Sequence, residues 1–199
     1  MKNRCVIKEG VVHIYIKSSK YKMQVCLVDK EDFNIVKKHT WYIHKTTTSF
    51  YAQTSKKNNI YMHNLIMNSK WIDHINHNGL DNRRCNLRKC TQQENNFNKT
   101  KTKKAFSKYK GVFKSRFEGK CKGIICYDYK QISLGIFKSQ RFCAFIYDVA
   151  AILLFEDFAG LNFPNKDYSN IKERYGDIKN FIKYLRKRAR YKRKLRDEK

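Results

Sequence analysis

The stretch that constrains this chain most runs from Trp71 to Lys99, WIDHINHNGLDNRRCNLRKCTQQENNFNK. Trp71–Asn76 mixes Ile, aromatic and polar residues in the manner of a strand, and the turn-rich run HNGLDN stops it. Asn86-Leu87-Arg88-Lys89 predicts a second short strand. The run Thr91-Gln92-Gln93-Glu94 is a capping box. The threonine hydroxyl accepts from the Glu94 amide, and the glutamate reaches back to the Thr91 amide, so a helix starts at Thr91. The order is therefore a β-loop-β-α unit.

Four polar residues in this unit carry a resemblance. Asp73 and His74 are adjacent, Asn86 follows Asp73 by thirteen positions, and Asn95 comes nine later. In residue type and spacing this resembles the HNH nucleases, specifically their homing-endonuclease branch. The resemblance implies that Asp73 and Asn95 hold one divalent metal and that His74 is the general base. Asn86 would pin the loop so that His74 is aimed, and Arg84 and Arg88 would contact DNA phosphate. His77 and Asn98 are secondary candidates, for which loop and helix-surface roles are expected. His63, in MHNLIM, matches a histidine often found before the metal motif and is expected to pack or to meet phosphate. His13, His39 and His44 have no notable spacing and read as structural or solvated.

The chemistry of these residues agrees with the resemblance. Phosphodiester hydrolysis needs a water nucleophile, a group that accepts its proton near neutral pH, and a cation at the departing oxygen. Histidine, with an ordinary pKa of about 6.5, suits the second task. One carboxylate and an amide oxygen, completed by water and phosphate, suit Mg²⁺ or Mn²⁺. Neighbouring strand residues face opposite ways. Asp73 and His74 thus reach one spot only if the strand ends irregularly or the phosphate lies at its edge.

Charge points the same way. Among 199 residues, 44 are Lys or Arg and 17 are Asp or Glu, giving a net charge of +27. Self-repulsion at that charge is a cost unless a polyanion offsets it, so nucleic acid is the expected partner. A membrane is not expected, because no run of apolar residues is long enough to span one. MKNRCVIKEG lacks the apolar core of a secretory signal, which predicts an intracellular protein located wherever its target DNA lies. No protein partner is implied. The seven cysteines never form CxxC. Cys85/Cys90 and Cys121/Cys126 each have four residues between them, at the loose end of the spacing of zinc ligands, so zinc is not expected and reduced thiols are.

Before the unit, VVHIYI, YKMQVCLV, WYIHK and SFYAQT alternate as strands do, with polar breaks such as VDKEDFN. After it, a Lys/Thr-rich linker is predicted, and then YKGVFKSRF, KGIICYDYK and QISLGIFKS as three strands. RFCAFIYDVAAILLFEDFAG predicts a helix of about five turns closed by Gly160. The elements SKYKGV, LGIF, AFIYDVAA and LNFP resemble the APETALA-type (ethylene-response-factor) DNA-binding domain, which reads the major groove with the exposed face of its sheet. The chain departs from that pattern, with Cys121 where a Trp is usual and Gly123 where Ala is. The resemblance implies DNA contacts from Lys114, Arg116, Lys120, Lys122 and Lys130, with Arg116 as base reader because Arg bonds guanine bidentately. In the tail, Ile178, Phe181, Ile182 and Leu185 give one narrow apolar helix stripe. RKRARYKRKLRDEK beyond it is expected to be disordered without DNA.

The expected fold class is α+β. An N-terminal β-rich region (1–60) leads into a ββα-metal nuclease unit (61–99) and a basic linker (100–106). A βββα DNA-binding domain (107–164) and a basic helical or disordered tail (165–199) follow. The expected function is metal-dependent hydrolysis of double-stranded DNA with Mg²⁺ or Mn²⁺. The alternative is a DNA-binding regulator with an inactive nuclease unit. An RNA-binding protein would call for aromatic platforms that the sequence lacks.

Overall fold

In VVHIYI every second residue is buried, and this alternation builds the first sheet. β1 (Arg4–Lys8), β2 (Val11–Ile16) and β3 (Gln24–Asp29) pair antiparallel in that order. Val12, Ile14 and Ile16 are buried, and Val12 and Ile14 sit opposite Val28 and Cys26. β1 was not among the expected strands. Its hairpin closes through Glu9 and Gly10, both at positive φ (48° and 79°). The computed structural model describes residues 2–47, 49–55, 59–99 and 106–197, with side chains described as far as Arg190. Its contacts group into two units, Met1–Lys99 and Thr100–Lys199. The linker expected at 100–106 lies outside the described residues as far as Ala105.

VDKEDFN, expected to be a simple break, is a 3₁₀ turn (Lys30–Asp32) running into α1 (Phe33–Val36). Trp41 then plugs the core and donates its indole N–H to the Val36 carbonyl at 3.0 Å. β4 (Tyr42–Lys45) pairs with β5 (Phe50–Gln53), and α2 (Met62–Met67) follows. β6 (Ile72–His74) and β7 (Leu87–Lys89) form the next hairpin. Both strands are shorter than expected, and Asn86 belongs instead to a 3₁₀ turn, Arg84–Asn86. α3 (Gln92–Asn98) is capped by Thr91 as predicted. The Thr91 hydroxyl accepts from the Glu94 N–H at 3.2 Å, and the Thr91 N–H donates to Glu94 Oε2 at 2.6 Å. One core joins Val12, Ile14, Val28, Trp41, Met62 and Ile66 to Ile72, Leu80 and Leu87. Each such side chain contributes roughly 1.5–3 kcal/mol when buried. The β6–β7 hairpin is therefore anchored to the first sheet.

The second unit is a three-stranded antiparallel sheet, β8 (Val112–Lys114), β9 (Cys121–Tyr127) and β10 (Lys130–Phe137), with β9 central. α4 (Gln140–Phe155) lies on one face, its N-terminus capped by Ser139. Close approach is built in. A Cβ at Gly111, where φ is +73°, would stand 1.8 Å from the Tyr147 ring, and one at Gly123 would stand 3.1 Å from Cys143 Sγ. Asp148 explains the motifs AFIYDVAA and LNFP physically. It is buried, and it accepts from the Asn162 and Phe163 backbone N–H groups and the Tyr168 hydroxyl, each at 2.9 Å. Asn162 in turn holds the Lys110 backbone through both its amide atoms.

α4 stops at Phe155, before the expected Gly160. Glu156 takes a positive φ of 48° and a 3₁₀ turn, Glu156–Phe158, follows. The polar segment after it contains α5 (Ile171–Tyr175), which was not expected. α6 (Ile178–Asp197) carries the predicted stripe, with Phe181 buried. It continues through the basic run that was expected to be disordered, because Lys and Arg are good helix formers and the run contains no Gly or Pro. No helix among the described residues is long and apolar enough to cross a membrane.

Candidate active site

The loop 75–86 is fixed before any chemistry is considered. Leu27 N–H donates to the Leu80 carbonyl and Asn82 N–H to the Leu27 carbonyl, both at 2.8 Å, so the loop extends the edge of β3. Gly79 passes so close to Phe50 O and the Tyr51 ring that a Cβ would stand 2.5 Å from each. Asp81 accepts from Arg83 Nε and Nη2 at 2.7 Å and from Asn76 Nδ2 at 3.0 Å. Burial opposes the Asp81 charge, but the Arg83 bonds outweigh it and hold this carboxyl below its usual range. Asn86 Nδ2 donates to the Asp81 carbonyl at 2.8 Å, and its Oδ1 accepts from the Asn76 N–H at 2.9 Å. One side chain thus ties the two ends of the loop together.

Asp73 and His74 are both buried and keep the strict alternation of a strand. Asp73 sits opposite Arg88 in register, on the side of α3. Its Oδ2 accepts from Arg88 Nε at 2.9 Å and Nη2 at 2.6 Å, and both oxygens accept from Asn98 Nδ2, at 3.1 and 2.9 Å. His74 sits opposite Leu87 and turns toward α2 and β5, where its ring lies 4.8 Å from His63 and 5.7 Å from Tyr51. Burial lowers the His74 pKa below the ordinary histidine value, although Asn82, Asp73 and Asp81 pull the other way. The ring is therefore neutral at pH 7, the form that accepts a proton.

Several placements differ from the sequence expectation. Asn98, expected on the helix surface, is buried against Asp73 and also donates to the His74 carbonyl at 3.2 Å. Asn95 lies one turn earlier on the same helix face, half-buried, with no side-chain hydrogen bond among the described residues. The capping box offered the missed signal. A helix starting at Thr91 puts residues 91, 95 and 98 on one face. Arg88 faces the Asp73 carboxylate, where a phosphate had been expected. Arg84 forms a bidentate pair with Asp32 at 2.8 and 2.7 Å, which ties the loop to the first sheet. His77 is exposed at a positive φ of 62°. His44 agrees with the structural or solvated role expected of it, bonding the Tyr61 hydroxyl at 2.8 Å.

Five buried polar atoms have no hydrogen-bond partner among the described residues: Gln53 Oε1, His63 Nδ1, Asn64 Oδ1, His74 Nε2 and Asn82 Oδ1. Each such atom costs about 1–3 kcal/mol. All five belong to the first unit, on β5, α2, β6 and the loop.

A protein of Acanthamoeba polyphaga mimivirus, described as an uncharacterized HNH endonuclease, is 32% identical to this chain over 149 residues. The match covers 70% of this chain and 73% of the relative. This chain belongs to the HNH endonuclease family. No family model matches it, and no solved structure does.

The second unit of this HNH chain carries the remaining basic candidates. Strand register separates them. Lys122 pairs with Phe113 and Ile136 on the sheet face away from α4, whereas Lys114 and Lys130 fall on the opposite parity, level with Cys121 and Tyr127. Arg116 and Lys120 flank the exposed Phe117 ring, at 4.9 and 5.3 Å from its centre. On β9, Cys121 points into the core and Cys126 to solvent, so the two cannot share a ligand. Among the described residues, no three His, Cys, Asp or Glu side chains cluster as a metal site.

Proposed function

We propose that the chain is a metal-dependent DNA endonuclease whose chemistry resides at β6, the following loop and α3, arranged as a ββα-metal unit. The unsatisfied buried atoms of His74, of His63 beside it and of Asn82 carry this reading, since such atoms in a folded protein call for an explanation and a functional site supplies one. His74 takes the proton of the attacking water. Asn86 keeps the loop, and hence His74, in position. Asp73 and His74 leave β6 on opposite sides, so the scissile phosphate lies across the strand end, with one group on each flank.

The residues fit one Mg²⁺ or Mn²⁺. The Asp73 carboxylate is buried and already balanced by a cation, the Arg88 guanidinium, so the position calls for positive charge. Asp73 with an amide oxygen, Asn95 as the expected donor, is the all-oxygen set these ions take. When bound, the ion would stabilise the departing 3′ oxygen. Arg88, released from Asp73, would then face phosphate.

The second unit, read as an APETALA-type module, supplies affinity and site preference through the sheet face around Lys122, with Arg116 and Lys120 beside it. Lys114 and Lys130 contribute charge at its edges, and duplex DNA is the partner. Arg88 already neutralises Asp73, and this favours a second reading, a DNA-binding regulator whose nuclease unit is silent. Incubation with supercoiled plasmid separates the two. Relaxed or linear product in Mg²⁺ and none in EDTA is expected, whereas binding without cutting in either would leave only the regulator. Binding itself should weaken steeply with salt. If roughly eight phosphates are neutralised, log K falls against log salt with a slope of about −7.

A further inference from the structure

The following rests on the reading of His74 as base. Its backbone is well held. β6 pairs with β7, and the His74 carbonyl accepts from the His77 N–H at 3.0 Å and from Asn98. The ring is less firmly held, because Nε2 has no hydrogen-bond partner among the described residues and Asn82 is the side chain that bonds toward the imidazole. Flat neighbours add to that hold. His63 on α2 lies 4.8 Å away at 84°, and Tyr51 on β5 lies 5.7 Å away at 64°. His63 is itself backed by Tyr61, stacked at 5.3 Å and 19°, with Tyr51 edge-on at 5.8 Å. Tyr61 is locked in turn by the bond from its hydroxyl to His44 Nδ1 on β4.

The ring chain His44–Tyr61–His63–His74 thus draws on three separate segments, β4, the start of α2 and β6, and ends at the base. His63 is buried in the first core with Nδ1 unpaired, so no hydrogen bond at that atom accounts for a histidine there. We propose that His63 is a positioning residue, whose flat ring, perpendicular to His74 and backed by Tyr61, holds the His74 imidazole at the angle from which Nε2 meets the reacting water. Perpendicular aromatic pairs are a preferred and stiff geometry. Burial lowers His63 to about 3, so it stays uncharged and does not repel His74 as that ring takes a proton.

The test measures the single-turnover nicking rate of supercoiled plasmid by the full chain in Mg²⁺, alongside its affinity for the same DNA. His63→Ala should lower the rate by about 100-fold, the usual effect of a misplaced reacting group, with affinity within about twofold. His63→Phe keeps the flat ring and should recover most of that loss, to within about threefold of wild type. Tyr61→Leu, which removes the backing, should slow nicking by about tenfold, again with affinity unchanged. A wild-type rate for His63→Ala or Tyr61→Leu, with His74→Ala inactive, overturns the proposal. So does an equal loss in His63→Ala and His63→Phe, because the ring plane would then not be what matters. If His63→Ala fails to fold, the His63→Phe and Tyr61→Leu arms decide alone. A wild-type rate for His74→Ala would be a different failure, that of the base reading itself.

Discussion

Asp73 in the first unit and Asp148 in the second are both buried, and the two are satisfied differently. Asp148 accepts from two backbone N–H groups, the Asn162 amide and the Tyr168 hydroxyl. Two of its four donors are main chain, and together they stitch α4 to the segment that follows it. Asp73 accepts only from side chains in the bonds described above, a guanidinium and an amide on elements that also face outward. Side chains swing away at little cost, whereas backbone does not. A carboxylate held by backbone reads as structure, and one held by exchangeable side chains beside a neutral histidine reads as a site.

The sharpest way to break this contrast is to remove each carboxylate. Asp148→Ala should cost the second unit more than about 3 kcal/mol, since several buried donors lose their acceptor. Asp73→Ala should cost the first unit less, about 1–3 kcal/mol because Arg88 can turn toward solvent, while abolishing Mg²⁺-dependent nicking. Both tryptophans, Trp41 and Trp71, lie in the first unit. Denaturation followed by tryptophan fluorescence therefore reports that unit, while circular dichroism also reports α4 and α6. Asp148→Ala should move the second signal and spare the first. If Asp148→Ala leaves folding unchanged and Asp73→Ala unfolds its unit, the contrast is reversed.

Gly111→Ala sharpens the structural side. A methyl at positive φ and 1.8 Å from the Tyr147 ring should cost roughly 3 kcal/mol, again in the second unit alone. Retained stability would mean that strand and helix are not that close. On the other side, the first unit should weaken in acid. The folded protein keeps His63 neutral down to about 3, while the unfolded chain protonates near 6.5. Protons therefore favour the unfolded state between those values and have no such effect above them. The His63 part of the loss between pH 7 and pH 5 should be about 2 kcal/mol, and His63→Phe should remove that part while leaving the smaller one from His74. Equal pH dependence in the variant would show that other groups carry it. The smallest effect is expected from Thr91→Ala, about 1 kcal/mol through loss of the cap, read from amide exchange confined to α3.

Much of this was legible because local chemistry decided it. The Thr91–Glu94 cap, the period-two alternation of β2 and the apolar stripe of α6 are rules acting over a few residues. What stayed hidden depends on distant partners. Arg88 looks like a phosphate contact until register sets it opposite Asp73, and Asn98 looks like helix surface until α3 docks on β6. Lys114 and Lys122 looked alike until pairing gave them different faces. His63 shows only a sequence position, and its stack on Tyr61 and His74 exists because α2, β5 and β6 meet.

The central claim is that the chemistry resides at His74. It is tested most directly by the nicking rate of full-length His74→Ala at saturating protein in Mg²⁺. Loss of a general base predicts a fall of about 10²- to 10⁴-fold with DNA affinity unchanged. A wild-type rate, or a rate that falls only as far as DNA binding does, would contradict it.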